Sequence, residues 1–241
     1  MAERDELLQR ARERGWYHTL ELGAGVTTDG WFDLRSQVKE YKLPDRLDGL
    51  RCLEVGTWDG FWAFELEDRG AAEVVALDLD EERELDWPPR RRPETFPAEP
   101  RGDGFRLAAQ LRGSRARRVV CSIYDALPAE HGQFDLVFCS AVLIHLRDQL
   151  LALERMADLL KPGGRLVLAE EHDKRAGLVP WPVSRLRIDE GPAVVFWSPS
   201  ARTWRRMVSA AGFDDVREAG RFTMRGKGVA SPHVVIHATK R

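Results

Sequence analysis

Short apolar runs alternate with amphipathic stretches along the chain from Leu50 onward. Apolar runs without polar alternation are typical of parallel strands that are covered on both faces, and helical spacing between them predicts the covering helices. The pattern therefore predicts an α/β fold with a mostly parallel sheet. The predicted strands are residues 51–55, 73–79, 118–122, 134–139, 165–169, 214–219 and 232–239.

The predicted helices lie between these strands and at the N-terminus. In the clearest helix, residues 147–160, apolar side chains recur every three or four positions, and the following Lys161-Pro162-Gly163-Gly164 predicts where it ends. The other helices are expected over residues 3–14, 61–69, 104–112 and 200–211.

Three stretches fall outside this alternation. Residues 1–49 precede the first strand, whereas residues 80–103, which are dense in proline and arginine, and residues 171–198 each follow the carboxyl end of a strand. Open α/β sheets bind ligands at that edge. We therefore expect an N-terminal segment, residues 1–49, and one domain, residues 50–241, with insertions at 80–103 and 171–198.

Charge and composition narrow the choice of partners. The 241 residues include 37 basic and 39 acidic ones, a net charge of −2, so no overall field draws the chain to nucleic acid or to an anionic membrane. Two arginine-rich runs, 90–92 and 115–118, are either local phosphate contacts or solvated surface. No run has the roughly 20 apolar residues of a membrane span, and the N-terminus lacks a secretory apolar segment. We expect a cytoplasmic protein without a membrane partner.

A glycine-bounded turn joins the first strand to the next helix. Gly56 allows the tight turn and Gly60 a close backbone approach. Asp78 ends the second strand 22 residues after Gly56, near the spacing at which a carboxylate accepts hydrogen bonds from ribose hydroxyls. This pattern predicts a nucleotide-like cofactor. A dinucleotide dehydrogenase would share these features, but Ala63 stands where its third glycine would be.

Five segments in order extend the pattern: E-V-G-T-W-D-G from residue 54, V-V-A-L-D from 74, C-S-I-Y-D-A-L-P from 121, F-D-L-V-F-C-S-A-V-L-I-H-L from 134 and L-K-P-G-G-R-L-V-L-A-E from 160. Over residues 50–171 the chain resembles the class I S-adenosylmethionine-dependent methyltransferases. The resemblance implies a Rossmann-like, seven-stranded, mostly parallel sheet with helices on both faces and an antiparallel last strand. It also implies S-adenosylmethionine as cofactor and S-adenosylhomocysteine as product.

The same resemblance implies a role for each matching residue. The methionine end of the cofactor would be held by Glu54, Gly56, Thr57, Trp58 and Gly60. Asp78 would bind the ribose, Ser122 and Ile123 would frame the adenine, and Ser140 would lie under the group being transferred.

Three further motifs narrow the resemblance: W-Y-H-T-L-E-L from residue 16, G-V-T-T-D-G-W-F-D from 25 and G-T-W-D-G-F-W-A-F from 56. They look like the group related to the enzymes that complete 5-oxyacetyl uridine at the tRNA wobble position, which transfer a carboxymethyl group from carboxy-S-adenosylmethionine. Those relatives carry V-L-Y-H after the fourth strand, and their tyrosine contributes to carboxylate recognition. Here Ile144 stands at that position and cannot donate a hydrogen bond. We therefore expect ordinary S-adenosylmethionine as the donor.

Three residues are candidates for the chemistry of transfer. His145 follows the fourth strand, where it is either a base or a packed residue. His18 and Tyr17 lie in an N-terminal segment that in this fold can cover the cofactor as a lid, or they simply pack on the domain. The acidic run Glu170-Glu171-His172-Asp173 has the composition of a metal site, but neighbouring residues in an extended chain point to opposite faces. We predict no metal.

Taken together, the sequence predicts a methyltransferase that methylates a small-molecule acceptor, with oxygen as the expected target, by in-line transfer. A tRNA wobble-uridine methyl- or carboxymethyltransferase is the first alternative. A protein that binds S-adenosylmethionine without catalysis is the second.

Overall fold

A computed structural model describes residues 2–23, 25–188 and 194–241, and the side chains of all of these except residues 2 and 3. Nine strands are found among them: β1 (Arg51–Val55), β2 (Glu73–Asp78), β3 (Arg117–Val120), β4 (Phe134–Ser140), β5 (Leu160–Glu171), β6 (Ser184–Leu186), β7 (Trp197–Pro199), β8 (Phe213–Gly226) and β9 (Val229–Lys240). The α-helices are α1 (Ala2–Glu13), α2 (Phe61–Asp68), α3 (Asp103–Arg112), α4 (Pro128–His131), α5 (Gln149–Asp158) and α6 (Ala201–Ala210).

Seven of the strands form one sheet in the order β3-β2-β1-β4-β5-β9-β8. β1 pairs in parallel with β2 and β4, β2 with β3, and β4 with β5. β9 is antiparallel to both of its neighbours, β5 and β8. The predicted fold is therefore confirmed, including the antiparallel last strand. The strand order reverses between β1 and β4, which opens a crevice at their carboxyl ends.

Both faces of the sheet are covered, and β4 shows how. Its side chains alternate, so Leu136 and Phe138 join one hydrophobic core while Val137 and Cys139 join the other. The first core contains α2, α3 and apolar residues of the N-terminal segment, including the fully buried Tyr41. The second contains α5 and α6. Apolar residues of the N-terminal segment, among them Leu22, Leu34 and Leu47, are thus part of the core on one face of the sheet.

The boundaries of several predicted elements differ from those observed, and α5 and β5 show why. The helix expected over 147–160 is shorter, because the Asp148 side chain caps it by accepting a hydrogen bond from the backbone N–H of Leu151. The glycine-rich turn after it lies within β5: Phe134 pairs with Leu160 and Leu136 with Arg165. Residues 161–164 therefore form a bulge at the start of the strand.

The two insertions contribute little regular structure. Residues 80–103 contain two short 3-10 helices, Glu82–Glu84 and Pro89–Arg91. The second insertion contains a 3-10 helix, Ala176–Leu178, and the β6–β7 ribbon; residues 189–193 lie outside the described part of the chain. Within that part, no helix combines the length and the apolar character needed to cross a membrane.

Candidate cofactor and acceptor site

A cavity of about 380 Å³ opens at the carboxyl ends of β1, β2 and β4. This volume lies within the range of small-molecule and cofactor sites. Its walls come from the N-terminal segment, the glycine turn after β1, the 80–103 insertion and the loops after β3 and β4. Most of the predicted site residues line it, namely Tyr17, His18, Gly56, Trp58, Asp78, Ser122, Ile123, Ser140 and His145.

The glycine turn is shaped by backbone conformation and close packing. Gly56 has φ +82°, and a Cβ atom added there would lie 2.2 Å from the Cγ2 of Val142. Trp58 also has a positive φ, +50°, although it is not glycine. Its backbone N–H donates to the Oδ2 of Asp78 at 2.7 Å, which fixes the turn to the end of β2. Such strain persists where the surrounding contacts impose it, and it clusters at binding sites.

Asp78 is placed to serve both the turn and a ligand. Its Oδ2 accepts the Trp58 N–H, and its Oδ1 accepts the N–H of Leu79 at 2.8 Å. An ionised carboxylate has about four lone-pair positions. Two remain after these contacts, and Asp78 lines the cavity, so the carboxylate can still accept hydrogen bonds from a diol.

Three predicted cofactor residues do not line the cavity: Glu54, Thr57 and Gly60. A Cβ at Gly60 would lie 2.7 Å from the Phe64 and Phe105 rings, so this glycine makes room for protein side chains. Glu54 is 1% exposed, and its Oε2 has no partner within the described chain. Burial, and secondarily the charges of Asp78 and Asp59, raises the pKa of Glu54 to about 8. These three residues do not line the cavity, so they could affect a bound cofactor only by shaping the turn.

The N-terminal segment is fixed to the glycine turn by Asp59. Asp59 Oδ2 accepts the backbone N–H groups of Tyr17, at 2.9 Å, and His18, at 2.8 Å. Its Oδ1 contacts the Nδ1 of His18. The Tyr17 ring stacks on the Trp58 ring with centroids 4.3 Å apart. These contacts bring together residues about 41 positions apart in sequence.

The loop after β4 forms the opposite wall, and Glu170 holds it. Glu170 Oε1 accepts the backbone N–H groups of Val142 and Leu143, both at 2.9 Å. Ala141, in the same loop, has φ +53°. Burial raises the pKa of Glu170 to about 7, against the opposing effect of these backbone hydrogen bonds. A carboxyl at the end of β5 therefore sets the position of the cavity wall.

His145 ends a 3-10 helix, Leu143–His145, and lines the cavity. Its Nδ1 lies 2.5 Å from the carbonyl oxygen of Val194, and burial lowers its pKa. The neighbouring Ile144 is 5% exposed, belongs to the second core and does not line the cavity.

Sequence reasoning missed several lining residues, chiefly in the 80–103 insertion and beside it. The guanidinium carbon of Arg101 lies 3.9 Å from the centroid of the Trp58 ring, a cation–π geometry. Tyr124 donates a hydrogen bond from its hydroxyl to Asp86 at 2.7 Å and accepts one from the N–H of Asp148 at 3.0 Å. No periodicity marks this insertion, so its proline and arginine content and its position after the carboxyl end of a strand were the available signals.

Several aromatic and acidic side chains of the second insertion and of α6 lie away from the cavity. The indole of Trp204 is fully buried and donates to the carbonyl oxygen of Glu171 at 2.8 Å, whereas Trp181 is 60% exposed. In the acidic run whose composition resembles a metal site, Glu171 pairs with Arg187 at 2.7 Å. Within the described residues, no group of three or more His, Cys, Asp and Glu side chains is arranged to hold a metal ion.

The cavity fits S-adenosylmethionine. Asp78 keeps unused lone pairs that suit a ribose diol, and Gly56, Ser122 and Ile123 line the same cavity. The fold and this site define a Rossmann-like methyltransferase of class I. Its residues 30–218 match the model of a methyltransferase domain family. The chain belongs to this family of S-adenosylmethionine-dependent methyltransferases.

Individual relatives agree with this assignment. A tRNA U34 carboxymethyltransferase of Desulforapulum autotrophicum is 27% identical over 196 residues, which is 80% of this chain and 53% of that one. A ubiquinone biosynthesis O-methyltransferase of Xylella fastidiosa is 29% identical over 153 residues, 59% of this chain and 54% of that one. The chain thus spans about half the length of these curated relatives.

Solved structures share the fold. The N-terminal domain of EvdMO1, crystallised in the presence of S-adenosylhomocysteine and D-fucose, superposes with a TM-score of 0.64 at 16% identity. The match covers 100% of this chain and 98% of that domain. The resemblance to the wobble-uridine enzymes and to class I methyltransferases is therefore confirmed.

Proposed function

We propose that this protein transfers a methyl group from S-adenosylmethionine to an oxygen atom of a small, largely apolar, hydroxylated molecule. The observation that carries the proposal is the mixed lining of the cavity. Asp78, Ser122 and Ile123 suit the nucleoside, whereas the rest of the lining combines two histidines, two tyrosines, three acidic residues and an arginine with a larger number of apolar side chains. These apolar residues include Phe32, Leu34, Trp62, Val142 and Met224.

Such a wall favours a planar or apolar acceptor with one or two hydroxyl groups. Apolar side chains bind the body of a ligand, and a few polar groups orient it. Tyr17 is suited to donate a hydrogen bond, because burial raises its pKa to about 12 and keeps the phenol protonated. In-line transfer needs alignment and exclusion of water more than covalent help. In our proposal the N-terminal segment, residues 1–49, supplies both as a lid.

One arginine of the 115–118 run weighs against tRNA as the acceptor. Arg118 pairs with Asp80 at 2.7 Å and its side chain is 5% exposed. Arg115 and Arg117 face acidic partners at 3.7 and 3.8 Å, and their side chains are 82% and 54% exposed, so these two stay open to phosphate. A phosphate-binding surface needs cations that are available to phosphate oxygens. The alternative rests on the tRNA U34 carboxymethyltransferases among the relatives, and carboxymethyl transfer remains a part of it.

The experiment measures transfer of isotopically labelled methyl from S-adenosylmethionine to three acceptors: catechol, a monosaccharide and bulk tRNA. The proposal expects label on catechol, with Asp78→Ala lowering the rate and Glu81→Ala, an exposed acid on the same loop, leaving it unchanged. Label on tRNA alone would replace this proposal with the wobble-uridine alternative. Donor binding without transfer to any acceptor would favour the non-catalytic reading. A cytoplasmic location stays a prediction.

A further inference from the structure

His18 and Asp59 form a buried pair on the cavity wall that the sequence did not reveal. His18 is 6% exposed and Asp59 2%, and the His18 Nδ1 contacts Asp59 Oδ1. His18 also lines the cavity, whereas Asp59 does not. The carboxylate therefore stands behind the imidazole, on the side away from the space that a ligand would fill.

The orientation of Asp59 is fixed by its other oxygen. Oδ2 accepts two backbone N–H groups, from Tyr17 and His18. Because Oδ2 already accepts two hydrogen bonds, Oδ1 is the oxygen of Asp59 that contacts the imidazole. A carboxylate oxygen accepts a proton-bearing nitrogen, which places the histidine proton on Nδ1. The lone pair is then on Nε2 of a ring that lines the cavity.

The backbone of His18 is held from further directions. The Thr28 hydroxyl donates to the His18 carbonyl oxygen at 2.9 Å, and the N–H of Thr19 donates to the carbonyl of Phe32 at 2.8 Å. Gly30 packs so closely that an added Cβ would lie 2.0 Å from the His18 carbonyl carbon. The imidazole is thus fixed at its backbone and at Nδ1, as a positioned base requires.

We propose that His18 is the general base of the transfer reaction and that Asp59 is its positioning residue. This inference rests on the proposed function, because it needs an acceptor whose hydroxyl is protonated at neutral pH. His18 Nε2 takes the hydroxyl proton as the acceptor oxygen forms its bond to the methyl carbon. The carbon–sulfur bond of the donor breaks with its electron pair remaining on sulfur, and the imidazolium then returns the proton to water.

The first test needs no acceptor. Imidazole nitrogens of the protein saturated with S-adenosylhomocysteine are observed by ¹⁵N NMR at pH 8, with His18 assigned by the signal lost in His18→Gln. The proposal expects the proton on Nδ1 and an unprotonated Nε2. A proton on Nε2, in either the neutral ring or the imidazolium, would overturn it.

Asp59→Asn provides a matched variant of the same size. The two backbone donors require the amide oxygen at the Oδ2 position, so the NH₂ group must face His18 Nδ1. Because that group is a donor, the histidine proton must move to Nε2. We expect the tautomer to switch while the affinity for S-adenosylhomocysteine changes by less than about twofold. An unchanged tautomer would contradict the assigned role of Asp59.

The second test compares two acceptors of similar shape, catechol and 4-nitrocatechol, of which only the second is ionised at pH 8. Loss of a general base typically costs 10²–10⁴ in rate, so Asp59→Asn should slow methylation of catechol by roughly 100-fold. Methylation of 4-nitrocatechol should change little, because its oxygen needs no base. An equal decrease in the methylation rates of both acceptors would show that the His18–Asp59 pair has a purely structural role. If the wild-type protein methylates neither acceptor, the proposed function fails, and the tautomer measurement still decides the role of the pair.

Discussion

A buried carboxyl group should make the stability of this protein depend on pH, and Glu54 is that group. It is 1% exposed at the end of β1, and burial raises its pKa to about 8. Because the folded state holds the proton more tightly than the unfolded state does, the proton stabilises the fold. The full contribution is present below the ordinary glutamate pKa of 4.5 and is lost as the pH rises through 8.

The size of the effect follows from these two pKa values. Each unit of difference corresponds to about 1.4 kcal/mol. From pH 5 upward the unfolded carboxyl is mostly ionised, whereas the folded one is still half protonated at pH 8. The free energy of unfolding should therefore fall by roughly 3–4 kcal/mol across this range on account of Glu54 alone. Glu170, whose pKa burial raises to about 7, adds to the fall in the same direction.

Glu54→Gln isolates the contribution. Glutamine keeps the shape of the protonated acid and does not titrate, whereas Glu170 is common to both proteins and cancels in the comparison. Urea unfolding of the ligand-free proteins at pH 5 and pH 8 measures both free energies. From pH 5 to pH 8 we expect the free energy of unfolding of the variant to rise by roughly 3–4 kcal/mol relative to that of wild type. Parallel pH dependences of the two proteins would refute the reasoning.

Three further substitutions test the walls of the cavity. Gly56→Ala should abolish S-adenosylhomocysteine binding and destabilise the fold by well over about 1 kcal/mol, because its Cβ would clash with the loop after β4. Gly113 also has a positive φ but open space around it, so Gly113→Ala should cost only about 1 kcal/mol. Equal losses of stability in denaturant unfolding would contradict the predicted clash. Asp78→Ala should weaken S-adenosylhomocysteine binding roughly 100-fold, since charged hydrogen bonds contribute about 1.5–3 kcal/mol each. At a ligand concentration of 100 times the wild-type Kd, the stabilisation by ligand in a thermal shift assay should drop from about 2.7 to about 0.4 kcal/mol. Full retention of this stabilisation would show that Asp78 does not bind the ligand. Glu170→Ala leaves two backbone N–H groups without their acceptor, so chemical denaturation should show a free energy of unfolding lower by about 2–3 kcal/mol. A decrease below about 0.5 kcal/mol would show that other contacts hold the loop.

The sheet was predictable because its central strands are short apolar runs that can be recognised in the local sequence. Apart from Asp135, the run from Phe134 to Cys139 is apolar, as a central strand requires, and β4 lies in the middle of the sheet with both faces covered. β8 and β9 were underestimated because arginine, glycine and proline interrupt their apolar pattern, and their hairpin pairing extends from Phe213–Lys240 to Gly226–Val229.

The site was predictable only where a short motif carries it. Gly56 and Asp78 follow from spacing alone, and both line the cavity. The Asp59–His18 pair and the anchoring of the β4 loop by Glu170 depend on contacts between residues 41 and 27–28 positions apart. Arg101 lies in an insertion without periodicity. Such contacts are set by tertiary packing, which local sequence patterns do not encode.

The most direct test of the account is isothermal titration calorimetry of the purified protein with S-adenosylmethionine, S-adenosylhomocysteine, carboxy-S-adenosylmethionine and NAD. We expect one site of micromolar affinity for the first two ligands, weaker binding of the carboxylated donor and no binding of NAD. Preference for the carboxylated donor would move the wobble-uridine reaction to first place. Binding of NAD without binding of S-adenosylhomocysteine would contradict the assignment of the cavity.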